Sequence, residues 1–90
     1  MYKIILSKRA ARTFHKLESA IQEQIKASLS ELKLFLSDEN QKMPDIKKLK
    51  GKYKGLYRLR SGDYRIIFDI RNETRMIMVI TLVNRQKGYG

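Results

Sequence analysis

The stretch Leu56-Tyr57-Arg58-Leu59-Arg60-Ser61-Gly62-Asp63-Tyr64-Arg65-Ile66-Ile67-Phe68 holds two alternating runs on either side of a turn. Successive side chains of a strand point to opposite faces. Over Leu56 to Arg60 this sets Tyr57 and Leu59 on one face and Arg58 and Arg60 on the other. Ser61-Gly62-Asp63 reads as a tight hairpin turn, because glycine tolerates positive φ and Ser and Asp favour turns. From Tyr64 to Ile70 the alternation returns, with Tyr64, Ile66, Phe68 and Ile70 facing one way and Arg65, Ile67 and Asp69 the other. Outward residues on neighbouring antiparallel strands lie side by side, so Arg58, Arg60 and Arg65 gather on one surface. Three guanidinium groups that repel one another stabilise no sheet, and an anion lying across them removes the conflict.

Working outward, Ile46 to Lys50 reads as a short basic strand and Gly51 to Gly55 as a turn or irregular link. Downstream, Asn72-Glu73 is a second turn, and Arg75 to Val83, apolar on both faces, is a central strand covered at least in part on each side. Asn84 to Gly90 is a short polar tail. Upstream, Tyr2 to Leu6 is a first strand. Ser7 sits where an N-cap would, ahead of Ala10, Ala11, Phe14 and Leu17 at helical spacing. Ser19 with Gln22 fits a capping box that starts a second helix. Ile21, Ile25, Leu29, Leu32 and Leu36 then form one apolar stripe. Asp38 to Asp45, with Pro44, is the one loop of any length. Ninety residues suit one domain and are too few for two. The expected fold is therefore a single α+β domain over residues 1–90, in the order β-α-α-β-β-β-β. An N-terminal strand and an antiparallel helix hairpin precede a mostly antiparallel sheet of three to four further strands.

Composition narrows the function. The apolar run Met76 to Val83 is broken by Thr81 and falls far short of the roughly 20 residues of a spanning helix, so no membrane role is expected. The apolar run at the N-terminus is too short for a signal peptide. With no cysteine there is no disulfide framework and no thiolate, and a reducing cytoplasm is the expected home. Lys and Arg number 20 against 9 Asp and Glu. Residues 1–45 hold 8 basic and 6 acidic side chains, residues 46–90 hold 12 and 3, so the excess is +2 in one half and +9 in the other. A field so concentrated points to a polyanion partner. The run Lys47, Lys48, Lys50, Lys52 and Lys54 suits electrostatic docking on RNA, with Arg60 beside it.

One histidine and no cysteine exclude His or Cys metal clusters and any Ser-His-Asp arrangement, so neither metal nor cofactor is expected. His15, in the first helix, reads as a surface or packing residue. Neither GxGxxG nor a P-loop is present. Arginine, lysine and tyrosine remain, and they suffice for one reaction class. RNA carries its own nucleophile, the 2′-hydroxyl beside each phosphodiester. A protein promotes its attack by bending the strand into line and stabilising the charge of the transition state. Guanidinium groups stay protonated and bind two phosphate oxygens in a fork. A tyrosine stacks on a base. Such an enzyme needs an external scaffold to hold the RNA.

Leu49-Lys50-Gly51 and the Leu56 to Phe68 stretch resemble the RelE/ParE toxins, which commonly read "LKG" followed by "YRLRxGdYRiiy". Asn84-Arg85-Gln86-Lys87-Gly88-Tyr89 is similar to the family's closing "hR...vY", and the resemblance spans essentially the whole chain. The "LRSGDYRI" segment is shared by the RNA-cleaving RelE branch and by the ParE branch, which poisons DNA gyrase. The resemblance implies a toxin of a type II toxin–antitoxin system, a ribosome-dependent endoribonuclease acting on translated mRNA. The alternatives are a ParE-type gyrase inhibitor without nuclease activity and a plain RNA- or ribosome-binding protein. Retention of both Arg85 and Tyr89 favours cleavage. By resemblance the catalytic set is Arg58, Arg65, Arg85 and Tyr89: the first two hold the scissile phosphate, Arg85 serves the leaving group, and Tyr89 stacks on the substrate nucleotide. A RelE lysine discussed as general base falls at Leu56, which cannot do that work, and Lys52 and Lys54 are the substitutes nearest in sequence. The implied partners are the ribosome, mRNA and a cognate acidic antitoxin (RelB-like) that covers the basic face or displaces the C-terminal residues.

Overall fold

The computed structural model describes residues 1–38 and 42–85. Among them the elements run β1 (Lys3–Leu6), α1 (Lys8–His15), α2 (Ser19–Ser37), β2 (Ile46–Lys48), a 3-10 turn (Gly51–Tyr53), β3 (Tyr57–Ser61), β4 (Tyr64–Arg71) and β5 (Met76–Asn84). The five strands form one sheet in the order β1-β5-β4-β3-β2, with β1 parallel to β5 and every other pair antiparallel. This is the expected β-α-α-β-β-β-β order, and β5 is a central strand as its apolar run requires.

Alternation makes the two faces of the sheet different. Leu59, Ile66, Phe68, Ile77, Val79 and Leu82 turn to one face and pack with Ala10 of α1 and Ile25, Leu29 and Leu32 of α2 in one buried cluster. Removing a side chain such as Phe68 or Ile25 from water contributes about 1.5–3 kcal/mol. The helices cover this face alone. In β5 the pattern steps: Ile67 pairs with Thr81 and Phe68 with Val79, so Ile80 is an extra residue in the ladder. Val79 and Leu82, three apart, thereby both face the helices, while Thr81 joins Ile67 on the open face. The Ile80 carbonyl accepts a hydrogen bond from Ser7 Oγ at 2.6 Å, and Ser7 Oγ accepts from the Ala10 amide at 3.0 Å. Ser7 is thus the N-cap its position suggested, and it also pins α1 to the bulge.

Several local expectations are corrected. The N-cap of α2 is Glu18, which makes no side-chain cap, so Ser19 and Gln22 form no capping box. Gln22 Nε2 instead donates to the Phe14 carbonyl at 2.8 Å and ties α2 to the end of α1. Helix α1 stops at His15, and Leu17 lies beyond it, packed against the core. Strand β2 ends at Lys48, two residues early, because Gly51 to Tyr53 coil into the 3-10 turn. Arg75, with φ 53°, belongs to the β4–β5 turn, and Asn84 belongs to β5 rather than to the tail. At β2 the outer edge of the sheet is short and carries Lys47 and Lys48, which discourages pairing with another strand.

Ser61 belongs to β3, pairs with Tyr64 and is buried, leaving Gly62 and Asp63 as a two-residue turn. Gly62 has φ 58°, and Asp63 is not in the positive-φ region, the sign pattern of a type II′ hairpin. A Cβ on Gly62 would lie 2.5 Å from Gln24 Nε2, which donates to the Ser61 carbonyl at 2.9 Å. Ser28 and Ser61 hydroxyls meet at 2.7 Å beside it. Gly62→Ala therefore strains the turn and displaces Gln24 from its bond. We expect a loss of about 1–3 kcal/mol in urea unfolding; a midpoint equal to wild type would show that the turn relaxes freely.

Candidate active site

Register places the basic residues of the open face. Arg60 is the direct partner of Arg65, and Arg58 lies between Lys47 on β2 and Ile67 on β4. Lys47, Arg58, Arg60 and Arg65 therefore share one surface. The chain between β2 and β3 rises beside them and closes a groove of about 590 Å³, lined by Lys47, Lys48, Leu49, Lys50, Lys52, Tyr53, Arg58, Arg65 and Ile67. Ile67 points outward as the alternation requires, yet it is completely buried. The groove thus combines cationic side chains with an apolar lining. In such a place an anion is held more strongly than on an open, wet surface.

The side chain of Arg58 is only 13% exposed, against 41% for Arg60. Burial is the largest influence on the Arg65 guanidinium, followed by repulsion from Arg58, Arg60 and Arg85. Together they lower its pKa from the ordinary arginine value, and Asp45 opposes them. Asp45 stands immediately before β2, with Oδ1 3.4 Å from Arg58 Nη1 and Oδ2 3.9 Å from Arg60 Nη1. An anion added to this groove relieves a repulsion that the fold already carries.

Of the five lysines singled out in the sequence, Lys47, Lys48, Lys50 and Lys52 line the groove, and Lys54 is exposed outside its lining. The ammonium of Lys52 is 5.3 Å from the centre of the Tyr53 ring, a cation–π distance. Leu56 precedes β3, half-buried, with no group that moves a proton. Arg85 is exposed just past β5, and its amide donates to the Asp63 carbonyl at 2.7 Å, which holds it beside the β3–β4 turn. Tyr89 lies outside the described residues. His15 is exposed in α1 and meets the Phe14 ring edge-on at 6.0 Å, away from the arginines. Among the described residues, no three His, Asp or Glu side chains gather to hold a metal ion, and no helix is long and apolar enough to cross a membrane.

Sequence reasoning missed Asp45, Leu49, Ile67 and Tyr53. Tyr53 carried a signal, being the one aromatic inside the lysine run. Asp45 carried none, since its place depends on how the loop after α2 enters β2.

The sequence matches, over residues 4–89, the family described as "ParE toxin of type II toxin-antitoxin system, parDE". The chain is a toxin of the RelE/ParE family. It is 30% identical over 90 residues to the protein named mRNA interferase toxin RelE of Escherichia coli (strain K12), covering 97% of this chain and 86% of that one. Its fold is similar to the toxin in the intact E. coli RelBE toxin–antitoxin complex, with TM-score 0.63 and 30% identity over 93% of this chain and 96% of that one. The archaeal RelE–RelB complex from Pyrococcus horikoshii OT3 is similar in fold, with TM-score 0.69 and 24% identity over 97% and 98% of the two chains.

Proposed function

We propose that this toxin is an endoribonuclease that cuts translated mRNA on the ribosome. The observation that carries the reading is the convergence of Arg58, Arg60 and Arg65 beside an apolar, lysine-flanked groove of about 590 Å³. The likeness to a protein named mRNA interferase supports it. In the proposed reaction the 2′-oxygen of the substrate attacks the adjacent phosphorus and loses its proton to a base. The bond from phosphorus to the 5′-oxygen breaks, and that oxygen gains a proton. The products are an upstream fragment with a 2′,3′-cyclic phosphate and a downstream fragment with a 5′-hydroxyl. Arg58 and Arg65 hold the non-bridging oxygens as charge grows on them. Arg85 faces the leaving oxygen, and Tyr89 stacks on the nucleotide. Lys47, Lys48, Lys50 and Arg60 hold the RNA electrostatically. Lys52 lines the groove and Lys54 does not, so Lys52 is the better-placed base. The ribosome supplies the scaffold that so open a site lacks. A cognate acidic antitoxin completes the system in the cytoplasm, drawn to the same basic face.

A second reading has its own support, because the matching family description names ParE. A gyrase inhibitor would use the basic face for docking alone. Primer extension on a translated message separates the two. Discrete cuts inside codons are expected on adding the toxin; intact message with inhibited supercoiling would establish the second reading.

A further inference from the structure

Asp45 is held in place by its backbone. Its carbonyl accepts from the Arg60 amide at 3.0 Å, and the neighbouring Pro44 carbonyl accepts from the Ile46 amide at 2.8 Å. One carboxylate therefore reaches two guanidinium groups, Arg58 at 3.4 Å and Arg60 at 3.9 Å, each through a different oxygen. Asp69, on the open face of β4, turns instead to Arg71 at 3.1 Å. A carboxylate bridging two arginines through two oxygens has the charge and reach of a phosphodiester on the same pair. The geometry points to Asp45 as a specificity-determining residue: its carboxylate occupies the place of a substrate phosphate on Arg58 and Arg60, and an incoming polyanion must displace it. This rests on the reading that the groove binds RNA phosphate.

Asp45 is 55% exposed and Arg60 41%, so that pair is screened by water and salt, while Arg58, 13% exposed and 3.4 Å away, holds the carboxylate more firmly. RNA presented on a large scaffold brings enough other contacts to displace such a carboxylate. A nucleic acid met in free solution finds the two arginines already partly neutralised and gains less from them. Asp45 thereby biases the groove against chance polyanions, leaving the scaffolded substrate favoured. Discrimination of this kind comes from making the wrong encounter less favourable rather than the right one stronger.

Asp45→Asn keeps the shape and removes the charge. Glu73→Gln makes the same change in net charge at an exposed position in the β4–β5 turn, away from the groove. Affinity for a short single-stranded RNA, measured by fluorescence anisotropy across a salt series, compares them. Asp45→Asn is expected to bind about three- to tenfold more tightly than Glu73→Gln at low salt, and the difference should shrink as salt rises. Equal affinities, or weaker binding by Asp45→Asn, overturn the proposal. The double variant Lys47→Ala/Lys50→Ala, which removes two of the groove lysines given to holding RNA, separates the two levels of failure in the same assay. Should it bind RNA as well as wild type, the groove is not the RNA site and both readings fall. Should it bind less while Asp45→Asn gains nothing, the role of Asp45 falls and the groove reading stands.

Discussion

Arg65→Ala is expected to lower cleavage of a translated message about 10²–10³-fold, the usual loss when one transition-state contact is removed. The fold should stay intact, because the Arg65 side chain stands on the open face and the backbone of β4 keeps its ladders to β3 and β5. Single-turnover cleavage on a ribosome complex and a thermal melt on the same preparation check both expectations. A folded variant that cleaves at the wild-type rate contradicts the assignment.

How much of this was legible beforehand depended on the kind of interaction. The succession of elements along the chain and the two faces of the β3–β4 hairpin follow from local patterning, and Leu59, Ile66 and Phe68 are buried where the period places them. The Ser7 cap was legible for the same reason. The absence of a capping box at Ser19 was not, because the helix begins one residue earlier than a Ser19 cap requires and Gln22 donates instead to the Phe14 carbonyl, eight residues earlier, which only the packing of α1 against α2 supplies. The step at Ile80 was hidden by composition: in a strand apolar on both faces, an inserted residue leaves no break in the pattern. The gathering of Arg58, Arg60 and Arg65 was visible in the alternation, whereas the groove that surrounds Arg58 and Arg65 was not. It depends on the 3-10 turn at Gly51–Tyr53, which brings Lys50, Lys52 and Tyr53 beside the strands.

The largest effect should come from the substrate. If the 2′-hydroxyl is the nucleophile, replacing it with hydrogen at the cut site removes the attacking atom and abolishes cleavage, while docking, which depends on phosphates, is retained. A water-derived nucleophile would not need that hydroxyl. Arginines suit the first mechanism, since they stabilise charge on the phosphate without having to generate a nucleophile. The same choice is written in the products. Mass spectrometry of the upstream fragment, from a message with an unmodified cut site on a pre-formed ribosome complex, tests the mechanism most directly. The account predicts a 2′,3′-cyclic phosphate, or the monophosphate left when that ring opens; a free 3′-hydroxyl would contradict it.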